Sequence, residues 1–145
     1  DRKKNLLITS QGKNVAPAPM ENALITSQYI EQVVALGDKQ NFISALVVPS
    51  FENLEIYLSN KGIELSGNQA MIDHDEVISL INGIVDEEME RFSKYERIKK
   101  IALIPNLLTI EKGELTPTLK VVRRVVINNY SEYIDRIYSD TDSFK

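Results

Sequence analysis

Apolar positions along the chain change period several times, and each change marks an element. "NLLIT" (5–9) reads as a short strand, followed by the turn-forming stretches "SQGKN" and "VAPAP". Pro19 suits the first turn of a helix with Met20, Ala23 and Leu24 on one face. "YIEQVVALGD" and "FISALVVPS" are β-rich runs joined by the turn residues 37–41, so an antiparallel hairpin is expected. Ser50 is placed to cap a helix over 51–61, which Gly62 would stop. Asp73 and Glu76 have capping-box spacing, with Asp standing in for Ser or Thr. Val77, Ile81, Ile84, Val85, Met89 and Phe92 then recur at helical spacing, which predicts the longest helix, with one side buried. "RIKKIALIP" is a third strand; the Gly113 loop follows, then a helix from about Leu119 and a last amphipathic piece opened by Ser131. Together these predict an α+β domain: a small, mostly antiparallel sheet flanked by helices, preceded by an N-terminal β-hairpin.

A length of 145 residues suits one domain with one core. Hydrophobic residues at 43% and charged residues at 26% give the balance of an ordinary globular domain. Apolar runs such as "ALVVP" are far too short to span a bilayer. The absence of cysteine excludes disulfides and thiolate metal sites and fits a reducing compartment. The chain opens at Asp1 directly in patterned sequence, which reads as a piece of something larger.

A net charge of −4 argues against a general nucleic-acid binder. The average hides a segregation. Residues 73–92 hold seven acids and one base, whereas 94–124 hold eight bases and three acids, and "DRKKN" adds three bases beside one acid. A basic patch able to meet phosphates and an ordinary solvated face both produce this pattern.

Familiar catalytic constellations are missing. The single histidine, His74, lies between Asp73 and Asp75 at an expected helix start, which suits a helix-end residue rather than a triad member. Asp86, Glu87, Glu88 and Glu90 lack the alternating ligands and the glycine of a calcium loop, so no metal site is expected. Neither a Walker lysine loop nor GxGxxG occurs.

"GELTPTLKVVRR" (113–124) is different: a glycine and a Thr-Pro-Thr turn stiffen a loop that ends on Lys120. A lysine held this way is either solvent-exposed filler or a cation positioned for a phosphate or carboxylate. At the other end, "DRKKNLLITSQGKNVAPAPMEN" combines Asp1-Arg2-Lys3-Lys4, an apolar strand, Gly12, Val15-Ala16-Pro17 and Met20-Glu21. This opening resembles that of the C-terminal domain of adenylate-forming enzymes, the acyl-CoA synthetase, adenylation-domain and luciferase superfamily. "ELTPTLKVVRR" is similar to that superfamily's last motif. Its Thr-Pro-Thr-x-Lys form and "TSQGKNVAP" point to the long-chain fatty acid–CoA ligases. Many relatives have glycine before the lysine, where this chain has Leu119.

The resemblance implies a mobile C-terminal domain over 1–138; the terminal residues 139–145 are expected to fray. It implies chemistry in two steps: ATP and a fatty acid give acyl-AMP, and coenzyme A then displaces AMP. Lys120 would be the adenylation lysine, Arg2 the nucleotide-facing arginine and Lys4 the hinge from which the β-hairpin leads. Gly12 would line the coenzyme A channel, with Ser10 and Lys13 beside it. ATP and Mg²⁺ would be held mainly by an N-terminal domain absent from this sequence, so the 145 residues alone should make no acyl-CoA. The implied location is cytoplasmic, with peripheral membrane contact of the full-length protein left open. A medium-chain or aryl-acid adenylating enzyme and a standalone basic interaction module using Arg2, Lys3, Lys4, Lys120, Arg123 and Arg124 are the alternatives.

Overall fold

The computed structural model describes residues 6–139, which form two compact units, one running to Asn106 and the other starting at Leu107. Arg2 and Lys4 lie outside the described residues. So does the expected frayed tail apart from Ser139, which closes the last helix.

In the first unit, β1 (Leu7–Ile8) and β2 (Asn14–Val15) form a short antiparallel hairpin with Leu7 opposite Val15. Helix α1 (Pro17–Leu24) begins two residues before Pro19, because Pro17 already supplies the fixed φ and missing N–H that suit a first turn. β3 (Ile30–Leu36) and β4 (Ile43–Pro49) pair antiparallel through the expected 37–41 turn. Helices α2 (Phe51–Asn60), α3 (Asn68–Asp73) and α4 (Asp75–Met89) then carry the chain to β5 (Ile98–Leu103). A 3₁₀ turn at Lys94–Glu96 precedes β5, and Ser93 and Glu96 close a reciprocal capping box there.

The sheet order is β3-β4-β5, and β5 runs parallel to β4. Among the described residues the five strands make two antiparallel pairings and one parallel pairing. Parallel neighbours need a long crossover, and the three helices between β4 and β5 supply it. β4 is central, and every one of its residues is buried, as its unbroken "ISALVVP" run requires of a strand covered on both faces. Met20 and Leu24 of α1, Leu54 and Leu58 of α2, and Val77, Ile81, Val85 and Met89 of α4 pack with Val33, Ala45 and Val47 in one core.

Three local expectations are corrected. His74, not Asp73, caps α4: Asp73 ends the preceding short helix, and the His74 Nδ1 accepts the Glu76 N–H at 3.0 Å. Ser50 occupies the position before α2, but its side chain makes no capping hydrogen bond. The helix expected from Leu119 starts only at Arg123, because Leu119 has φ +67° and Val121 bridges antiparallel to Leu115. A left-handed residue followed by a strand-like one cannot continue a right-handed helix.

The second unit contains α5 (Arg123–Asn129) and α6 (Ser131–Ser139), with Leu108, Val126, Tyr130, Ile134 and Ile137 buried. Glu114 is buried with them. Among the described residues no helix is long and apolar enough to cross a membrane.

Candidate functional site

Each unit carries one of the two loops singled out in the sequence. In the first unit, the turn between β1 and β2 is closed by Gly12 N–H donating to Thr9 O at 2.9 Å and Thr9 N–H donating to Lys13 O at 3.0 Å. Thr9 is buried, and its Oγ1 also accepts the Lys13 N–H at 3.2 Å. Gly12 has φ +83°, and a Cβ there would meet no atom within 4 Å. The backbone conformation, not crowding, calls for glycine, and the position faces open space.

The 37–41 turn braces this hairpin from the side. Lys39 N–H donates to Ile8 O at 2.7 Å, and Ser10 N–H donates to Gln40 O at 2.9 Å. Asp38 Oδ1 accepts the Ile8 N–H at 3.1 Å, and the Ser10 hydroxyl donates to Asn41 Oδ1 at 3.1 Å. Ser10 is thus a supporting residue of the turn.

Lys13 is exposed, with its Nζ 5.3 Å from the centroid of the Tyr95 ring, a cation–π distance. Beside it lies a cleft of about 360 Å³ whose wall includes Lys13, Tyr95, Lys94 and Lys99 together with Thr9, Gln11, Asn41 and Phe42. Three ammonium groups and no carboxylate line it, a composition suited to phosphates. Lys94, Tyr95 and Lys99 were not singled out in the sequence; the basic stretch from residue 94 was the available signal.

In the second unit, Thr116-Pro117-Thr118-Leu119 makes a tight turn, with Leu119 N–H donating to Thr116 O at 2.7 Å. Pro117 stands at its second position, where the ring pre-sets φ. Thr116 N–H donates to Lys120 O at 2.8 Å, and Lys120 N–H donates to Thr116 Oγ1 at 3.0 Å. Leu119 takes the positive φ that glycine adopts without strain, and these hydrogen bonds hold it there. The Lys120 side chain is exposed at the end of a backbone with little freedom.

The buried Glu114 carboxylate at the base of this loop lies near the Tyr130 phenol and acts on it electrostatically. Burial, and then the negative charge of Glu114, push the Tyr130 phenol up to about 12. A raised folded-state value means that the fold favours the protonated phenol. Its contribution is complete below the ordinary phenol range, near pH ~10, and is lost as pH rises towards 12. Thermal melts between pH 9 and 12 are therefore expected to show a steeper decline for the wild type than for Tyr130→Phe; parallel declines would remove Tyr130 as the cause.

A family model described as the AMP-binding enzyme C-terminal domain matches residues 4–142. The chain belongs to that family. It is 34% identical over 139 residues to the long-chain-fatty-acid–CoA ligase FadD15 of Mycobacterium tuberculosis, covering 95% of this chain and 23% of that protein. It is likewise 34% identical over 146 residues to long-chain-fatty-acid–CoA ligase 1 of Homo sapiens, covering 96% of this chain and 20% of the relative. The chain thus spans about a quarter or less of the length of these relatives. Among solved structures, it superposes on the adenylation domain of a carboxylate reductase from Mycobacterium chelonae with a TM-score of 0.76 at 25% identity, over 96% of this chain and 20% of that one. The A domain of a carboxylic acid reductase from Segniliparus rugosus, in complex with AMP and a co-purified carboxylic acid, gives 0.74 at 28% identity, over 97% and 21%. The α+β architecture is that of this family.

Proposed function

We propose that these residues are the C-terminal domain of a long-chain fatty acid–CoA ligase and contribute to both of its steps. The observation that carries this reading is the exposed Lys120 on a hydrogen-bonded turn, in a family member with about one-third identity to two long-chain ligases. In the first step a fatty acid carboxylate oxygen attacks the α-phosphorus of ATP, and pyrophosphate leaves. Lys120 neutralises the two anions that must approach each other. In the second step the coenzyme A thiol attacks the acyl carbonyl and AMP leaves. The open face of Gly12 admits the pantetheine arm, while the Lys13–Lys94–Lys99 cleft receives the phosphates of the nucleotide end.

Arg2 and Lys4, outside the described residues, keep the nucleotide-facing and hinge roles that the resemblance implies, within a domain spanning 1–138. As the resemblance implies, Mg²⁺ would enter with ATP on the N-terminal domain. The enzyme would draw ATP and coenzyme A from the cytoplasm, and a bilayer-partitioning acid would bring it to membrane surfaces.

The test uses the full-length protein with palmitate, ATP, Mg²⁺ and coenzyme A. Wild type is expected to release AMP and form palmitoyl-CoA. Lys13→Ala/Lys99→Ala is expected to raise the KM for coenzyme A about tenfold, since two exposed phosphate contacts together contribute ~1–2 kcal/mol. Its pyrophosphate exchange should stay unchanged. Failure to make a thioester from any long-chain acid overturns the function. An unchanged KM overturns only the cleft, and turnover with a carrier-protein thiol but none with coenzyme A changes the acceptor.

A further inference from the structure

The loop that carries Lys120 is held from below by one residue. Glu114 has 0% of its surface exposed, and each carboxylate oxygen is engaged. Oε1 accepts the Thr109 N–H at 3.1 Å and lies 3.7 Å from Lys112 Nζ, while Oε2 accepts from Asn129 Nδ2 at 3.0 Å. The peptide of Glu114 takes part as well: its N–H donates to Thr109 O at 3.1 Å, and its carbonyl accepts the Val122 N–H at 2.8 Å. One residue therefore joins the segment before the loop, the backbone two residues after Lys120 and the C-terminal end of α5.

Such an arrangement is a poor way to gain stability alone. A buried carboxylate loses its hydration, and a well-packed apolar side chain would often serve the fold as well. What a fully satisfied polar network adds is a single permitted geometry. The Leu115–Val121 bridge lies directly above Glu114, and the Thr116–Lys120 hydrogen bonds lie above that bridge. A slip at Glu114 would therefore move the Lys120 ammonium.

We propose that Glu114 is a positioning residue for Lys120, which fixes the register of the hairpin so that the ammonium reaches one defined place during adenylation. This inference rests on the adenylating role given to Lys120 above. Glu114 touches no reactant; it acts through the loop.

The experiment measures both half-reactions of the full-length ligase in Glu114→Gln, Glu114→Ala, Lys120→Ala and the Glu114→Ala/Lys120→Ala pair. Pyrophosphate exchange reports adenylation, and supplied acyl-AMP reports thioester formation. Displacing the ammonium by about 1 Å is expected to lower the kcat of adenylation by about 10–100-fold, with little change in the KM for ATP. Thioester formation from acyl-AMP should keep its wild-type rate. Glu114→Gln, which retains size and one accepting oxygen, should recover part of the loss. The double variant should be no slower than Lys120→Ala, because a residue that acts through Lys120 has no effect once the ammonium is gone.

Equal loss in both half-reactions, or additive losses in the double variant, would show a merely structural role and overturn the proposal. If Glu114→Ala does not fold, Glu114→Gln carries the same comparison. Lys120→Ala separates the two readings. If it leaves adenylation intact, the role of Lys120 fails and that of Glu114 goes with it; if it abolishes adenylation while both Glu114 variants run at the wild-type rate, only the Glu114 proposal fails.

Discussion

Lys120→Ala in the full-length protein is expected, on the role proposed for that lysine, to lower acyl-adenylate formation by about 10²–10³-fold, the cost of removing one well-placed electrostatic contact to a developing charge. Thioester formation from supplied acyl-AMP should be nearly unaffected. The size of the effect follows from what the loop has already done. The Thr116–Leu119 turn, the reciprocal Thr116–Lys120 hydrogen bonds and the fixed ring of Pro117 remove backbone freedom before substrate arrives. On the role proposed for Lys120, only its side chain then remains to be ordered as the ammonium meets the carboxylate and the α-phosphate. Lys120→Arg should rescue poorly. A planar guanidinium retains the charge but offers it as a wide fork, where the ammonium is a compact point. Pyrophosphate exchange and single-turnover thioester formation check both variants. Unchanged rates in both steps would reduce the loop to a stiff turn and withdraw the site.

Much of this was readable in the residues, for reasons that differ from element to element. The repeat from Val77 to Met89 identified α4 and its buried face, because helical periodicity depends only on neighbouring positions. The β3–β4 hairpin was legible because its connection is too short for any other pairing. The parallel placement of β5 was not. "RIKKIALIP" reads as a strand, but its direction depends on where three intervening helices return the chain. Short-range competition hid the start of α4: Asp73 is the better cap by residue type, but the preceding short helix ends on it and His74 caps instead.

The candidate site shows the same division. Gly12 and Lys120 stood out because turn residues and motif order are local. Lys94, Tyr95 and Lys99 join the Gly12 turn across some eighty positions of sequence, and no pattern near either segment announces the meeting. Glu114 was the hardest to see. In the sequence it is one acid within a basic stretch, and only the fold shows that it is buried, with Thr109 and Asn129 converging on its carboxylate.

Ile81→Ala in the 145-residue chain is expected to cost about 2–5 kcal/mol, the range for removing most of a large side chain from a packed interior. Ile78→Ala, one helical turn earlier, is expected to cost less than about 1 kcal/mol, because surface substitutions rarely do more and alanine is the better helix former. The two isoleucines are chemically identical and share α4, so the comparison isolates burial: Ile81 is 0% exposed and Ile78 is 38% exposed. Ile81 belongs to the core built on the buried face of α4, and a cavity there leaves its neighbours without partners. A small domain is stable by only about 5–15 kcal/mol, so the loss is a large share of the total. Urea unfolding followed by circular dichroism gives both values, with the wild-type slope as the check that the unfolding transition is unchanged. Equal costs at the two positions would mean that the helix buries a different face. A small cost at Ile81 alone would mean that α1, α4 and β5 close around the missing atoms, leaving the sheet and the hairpin it braces unaltered.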